Sequence, residues 1–145
     1  MEGSVSTSGG QPALAPSDER TLAMLAHLSV LVNLVSGGLG LVAALVIYLV
    51  YKERSRYVAY HSLQAFFFQL VFWVGGGALA GIAWGVSGIL TMVLVGCLLM
   101  PIALLLTLVP VAAVVYGVVA AIQCSQGEDF QYWLVGDWVR GTLSP

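Results

Sequence analysis

From Ser62 to Gln123 the chain carries no Asp, Glu, Lys or Arg. A soluble domain of this size could not keep such a run out of water. A helix rises ~1.5 Å per residue and the hydrocarbon core of a bilayer is ~30 Å thick, so roughly twenty apolar residues make one crossing. The run therefore has to cross a membrane at least twice. The fold class that follows is a small all-α integral membrane protein. It is read as a helical bundle of about four helical segments, a short Gly-broken hairpin and then two long spans, the last kinked by proline.

Five cationic and seven acidic side chains are spread over 145 residues, which leaves one small membrane domain with short tails. We divide the chain into a disordered cytoplasmic tail over 1–17, a helical membrane domain over 18–124 and an interfacial, cytoplasmic tail over 125–145. A net charge of −2 without a basic, aromatic-interleaved cluster gives no footprint for nucleic acid. Cys97 and Cys124 stand singly, outside any CxxC or metal-ligand spacing, and imply no disulfide framework.

The first helix starts with Ser17 as N-cap and with Asp18 and Glu19 in the turn where carboxylates favour the helix dipole. Leu22 to Tyr51 is apolar but is interrupted at Ser36-Gly37-Gly38-Leu39-Gly40. It is either one long tilted crossing or two short helices, about 22–36 and 39–51, folded as a hairpin around the glycines. Lys52, Arg54 and Arg56 hold three of the five cations, so the 52–60 loop belongs in the cytoplasm by the positive-inside rule. His61 to Ala83 forms the next span, Trp84 to Gly88 a turn at the far side, and Ile89 to Gln123 a return interrupted by Pro101 and Pro110. Two crossings after the loop, the C-terminal tail also faces the cytoplasm. Its Phe130, Tyr132, Trp133 and Trp138 suit an aromatic segment at the interface.

Few residues here could carry chemistry. Gly77-xxx-Gly81-xxx-Gly85 clears a groove for close helix approach, within the monomer or against a partner. Asn33, Gln64 and Gln69 lie within apolar segments; interhelical hydrogen bonding is their ordinary use and lining a hydrated path the alternative. Ala26, Ser29, Asn33, Ser36, Gly40 and Ala44 follow a three-or-four spacing that places small residues on one face. Arg56, Tyr57 and His61 anchor a helix end among the headgroups. No span holds an acidic base, and no Ser-His or His-Glu pair shares a helix, so no catalytic residue is assigned. A metal or haem site would need His27, His61 and Cys124 to converge, which only the hairpin topology permits. No spacing motif supports it, and no metal or cofactor is assigned.

DERTLAMLAHLS at Asp18 to Ser29, SRYVAYHSLQAFFFQL at Ser55 to Leu70 and GEDFQYW at Gly127 to Trp133 carry a family resemblance. Over residues 18–133 the chain resembles a bacterial membrane domain of unknown function. That domain is related to the twenty-kilodalton component of the chloroplast inner-envelope protein import translocon. The resemblance implies a compact domain of four helical segments in the bacterial inner membrane, both termini inside, and so favours the hairpin. Leu22, Phe66-Phe67 and Trp133 depart from the pattern. The expected function is a non-catalytic interaction or assembly subunit that meets lipid and other membrane helices. The alternative is a homo-oligomeric transporter or conduit subunit.

Overall fold

The computed structural model describes residues 12–143. All regular structure among them is helical. Helix α1 (Pro16–Leu28) is followed after Ser29 by α2 (Val30–Ser36), and α3 (Leu39–Tyr51) returns beside them. Helix α4 (Arg56–Gln69) passes through a π-helical turn (Leu70–Gly75) into α5 (Gly76–Leu90). A 3-10 turn (Thr91–Val93) then leads to α6 (Val95–Ser125), and a short α7 (Gly136–Thr142) closes the described chain.

The first apolar segment is a hairpin. Gly37 adopts φ +75° and its N–H donates to the Asn33 carbonyl at 2.8 Å, a left-handed stop that a residue with a Cβ would resist. Ser36 Oγ accepts from Leu39 N at 3.1 Å and so starts the return helix. Trp73, in the π turn, donates its indole N–H to the Gly37 carbonyl at 2.8 Å, fastening the hairpin tip to the long helix. Ser55 caps α4 by accepting from Val58 N at 3.1 Å.

Four details differ from the sequence reading. The N-cap of α1 is Ala15, with Pro16 rather than Ser17 opening the helix. Proline suits that first position because its missing N–H would be unpaired there anyway. Trp84 to Gly88 is no turn and lies inside α5. In a membrane the helix is the one way to pair these backbone groups, so glycine is tolerated within it. The reversal falls at Thr91 to Leu94, where Leu94 takes φ 62°, and the last helix runs from Val95 through both Pro101 and Pro110. Finally, Phe130 and Tyr132 are buried in the bundle instead of lying in an interface, while Trp133 and Trp138 stay exposed. Residues 1–11 of the tail expected to be disordered lie outside the described residues.

Arg56–Val93 and Val95–Ser125 are each long and apolar enough to cross a membrane. The first is 38 residues, about 57 Å at ~1.5 Å per residue and nearly twice a bilayer core. These are not the hidden helices of a soluble core. Leu79, Ile82, Ile89, Leu98, Leu104, Leu105 and Leu108 all present themselves outward.

Candidate functional site, a buried two-histidine, one-cysteine cluster

The polar interior lies at the end of the bundle where α1 and α4 begin. Arg20, on α1, covers Gly127: a Cβ there would come within 2.6 Å of the guanidinium. Gly127 itself takes φ +82°, which ends α6 and sends the chain back under the helices. The returning strand of chain is held by Gln64. Its Oε1 accepts from Tyr132 N at 3.0 Å and from Tyr60 Oη at 2.9 Å, and its Nε2 donates to the Phe130 carbonyl at 3.1 Å. Arg56 Nη2 donates to the Leu143 carbonyl at 3.1 Å and Tyr57 Oη to the Glu128 carbonyl at 3.0 Å.

Under this cap three side chains from three helices meet. His27 comes from the end of α1, His61 from the second turn of α4 and Cys124 from the end of α6. His27 Nε2 is 3.4 Å from His61 Nδ1, and Cys124 Sγ is 3.3 Å from the same nitrogen. One ligand atom from each falls within 4.8 Å of the others, and all three residues are buried.

The outer nitrogens are placed as well. His27 Nδ1 lies 3.2 Å from Tyr132 Oη. Tyr132 is stacked on Phe68 with ring centroids 3.8 Å apart, so its hydroxyl has a fixed direction. Burial holds that phenol well above the usual tyrosine range, so it stays an O–H. His61 Nε2 faces Asp129 Oδ1 at 3.7 Å, beyond hydrogen-bond reach, and has no hydrogen-bond partner among the described residues. Asp129 Oδ2 accepts from Arg140 Nη2 at 2.9 Å, and Arg140 lies over the Tyr60 ring at 4.7 Å. A surface cavity of about 490 Å³, lined by Arg56, Tyr57, Tyr60, Asp129 and Arg140 among others, opens beside the cluster. The Tyr57 ring is the partition between them, 4.4 Å from the His61 ring.

A second polar group sits deeper. Asn33 Nδ2 donates to Gln69 Oε1 at 2.9 Å, Gln69 Nε2 to Ser29 Oγ at 3.0 Å, and Gly40 N to Asn33 Oδ1 at 2.8 Å. Both ends of each amide are thus used to tie α2, α3 and α4 together. Of the small-residue face read from the sequence, Ala26, Ser29, Asn33, Gly40 and Ala44 are buried, whereas Ser36 is exposed.

Gly77, Gly81 and Gly85 lie elsewhere, on the outward face of α5, where an added Cβ would meet nothing within 4 Å. The seam that α5 buries is one residue over, at Gly76, Ala80 and Ser87. Asp129, Tyr132 and Ser29 were not singled out as site residues. The signal for the first two was local: a glycine just past a long helix, followed by acidic and aromatic residues, marks a chain that turns back.

No curated protein and no solved structure matches the chain. A family model does, over residues 18–139, that of a magnetosome magnetite crystal formation protein family. It overturns the resemblance to the plastid import component and, with it, any import-like role. The segments at Asp18, Ser55 and Gly127 that carried that resemblance all lie within the span of the magnetosome match. With that span covering most of the sequence, the chain belongs to the MamF/MmsF family of magnetosome magnetite crystal formation proteins.

Proposed function

We propose that this chain is a non-catalytic, multi-pass subunit of a magnetosome membrane that takes part in forming magnetite crystals. The family match over residues 18–139 carries the reading. The outward apolar faces of α5 and α6 supply what membrane insertion needs. The open Gly77, Gly81 and Gly85 face supplies a surface where a second membrane helix could approach closely. Lipid and other membrane helices are its partners in this reading.

Charge and contact support a sidedness in this reading. Lys52, Arg54 and Arg56 favour a cytoplasmic loop by the positive-inside rule. Arg54 Nη2 donates to the Pro12 carbonyl at 3.5 Å and Arg56 to that of Leu143, which supports both ends of the described chain lying with that loop.

The test is removal of the chain from its native cell, with crystal number, length and shape measured by electron microscopy. Smaller or misshapen crystals are expected; crystals indistinguishable from the parent's would overturn the reading. Photo-crosslinking from position 81 then addresses assembly separately. A discrete protein adduct supports a subunit role, and adducts to lipid alone would remove it.

A further inference from the structure

We propose that His27 Nε2, His61 Nδ1 and Cys124 Sγ form a binding site for one divalent transition-metal cation, held by two neutral imidazoles and a thiolate. The proposal rests on these side chains alone and stands or falls independently of the role in crystal formation.

Distance is the first argument. An ion with bonds of ~2.0–2.1 Å to nitrogen and ~2.3 Å to sulfur in tetrahedral geometry sets its ligand atoms about 3.3–3.6 Å apart. Two of the three separations match, 3.4 Å between the two nitrogens and 3.3 Å between Cys124 Sγ and His61 Nδ1, and the third, His27 Nε2 to Cys124 Sγ, lies within 4.8 Å.

Hydrogen-bond bookkeeping is the second. The Asp129 carboxylate, 3.7 Å from His61 Nε2 and too far for a hydrogen bond, favours the proton on that nitrogen by its charge and so a lone pair on Nδ1. That lone pair faces both His27 Nε2 and Cys124 Sγ. A cation on the side that these three atoms share would accept all three lone pairs at once. Of the outer nitrogens, His27 Nδ1 has Tyr132 Oη at 3.2 Å, able to accept its proton once Nε2 binds an ion, and His61 Nε2 faces the Asp129 carboxylate at 3.7 Å.

Charge and access agree. A thiolate offsets one charge of a dication in this buried site, while the Asp129 carboxylate beside it is already paired with Arg140. The 490 Å³ cavity brings water to Asp129 and to the Tyr57 ring beside His61. A nitrogen and sulfur donor set selects the zinc, cobalt and ferrous class over magnesium and calcium, which take oxygen ligands. Three protein donors leave a fourth position open.

The test uses the detergent-purified Cys97→Ser chain, whose one remaining thiol is Cys124, titrated with Co(II). One cobalt per chain and a thiolate-to-cobalt charge-transfer absorption are expected, and only Cys124 can supply that band. Asp129→Asn, at an exposed position, should weaken Co(II) binding about 10-fold while keeping the band, since it removes the carboxylate charge beside His61 without removing a ligand. A helical Cys97→Ser chain that shows no such band overturns the site, as does Co(II) binding left unchanged by His27→Gln. Should His27→Gln fail to fold, the Cys97→Ser titration decides alone.

Discussion

The two ends of this bundle are held together by different physics. At the α1/α4 end the buried residues include His27, Asn33, His61, Gln64, Gln69 and Tyr132, nearly all joined by directed hydrogen bonds. At the other end, α5 and the first half of α6 bury little more than Gly76, Ala80, Ser87, Gly96 and Ala103, with their large side chains turned outward. Lipid is as apolar as leucine, so hydrophobicity cannot choose between a helix neighbour and lipid. One end therefore obtains specificity from polar groups that must be paired, the other from small residues that let backbones close up. The polar end fixes the shape of the domain. The apolar end is a two-helix hairpin whose outer surface is left for other molecules.

The sharpest way to break this contrast is Gln64→Leu. It leaves the Phe130 carbonyl and the Tyr132 N–H without their Gln64 partner, and a buried unpaired group costs ~1–3 kcal/mol. A loss of about 3 kcal/mol is expected, together with release of the C-terminal segment. Thermal unfolding in detergent and limited proteolysis after residue 127 would show both. A variant as stable and as protease-resistant as the parent would mean that the cap is not held by this amide.

Next in size is Gly117→Val. A Cβ at Gly117 would lie 2.8 Å from Val30 Cγ1, so a branched side chain forces α6 away from α2. Overpacking of this kind costs ~1–3 kcal/mol. Unfolding in detergent measures it, and a cost under ~0.5 kcal/mol would show that the close approach is not required.

How much of this was legible beforehand differs between the same two ends. The uncharged run from Ser62 to Gln123 dictated paired long helices, a local signal, whereas the glycines at 37, 38 and 40 marked an interruption that fitted one tilted crossing as well as the hairpin found. The position of the far reversal was misread. WGVSG has turn composition in water, whereas Thr91 to Leu94 carries no glycine at all. The polar end was legible as parts without their assembly. His27, His61 and Cys124 could be named as a set that the hairpin would permit, yet 34 and 63 residues separate neighbours in that set. No helical or strand period encodes such a distance. Gln64 gave no hint of reaching 66 residues to Phe130. Glycine spacing marked a packing device with two possible uses; within the chain α5 packs through Gly76, Ala80 and Ser87, while Gly77, Gly81 and Gly85 face outward, a distinction that only tertiary contact makes.

A smaller effect is expected from Trp84→Phe. Its indole N–H donates to Thr107 Oγ1 at 2.9 Å, the one side-chain hydrogen bond between α5 and α6 among the described residues. Interhelical hydrogen bonds in membranes average ~0.6 kcal/mol, so the hairpin should lose about that much. A loss above ~2 kcal/mol, seen by unfolding in detergent, would show that the apolar end also depends on polar pairing, and the contrast would weaken.

The smallest effect on the fold belongs to Gly81→Leu, and there the contrast becomes a statement about assembly. Nothing lies within 4 Å of a Cβ at this position, so the isolated chain should keep its stability to within ~0.5 kcal/mol. A leucine there nonetheless fills the groove that would let a second helix come close. Unfolding in detergent and native gels of mild membrane extracts read the two effects separately. Unaltered stability with a lost higher-mass species is the expected pair of results. If stability falls instead, this face is packed against the chain itself and the division of the molecule into a self-sufficient end and a partner-seeking end is wrong.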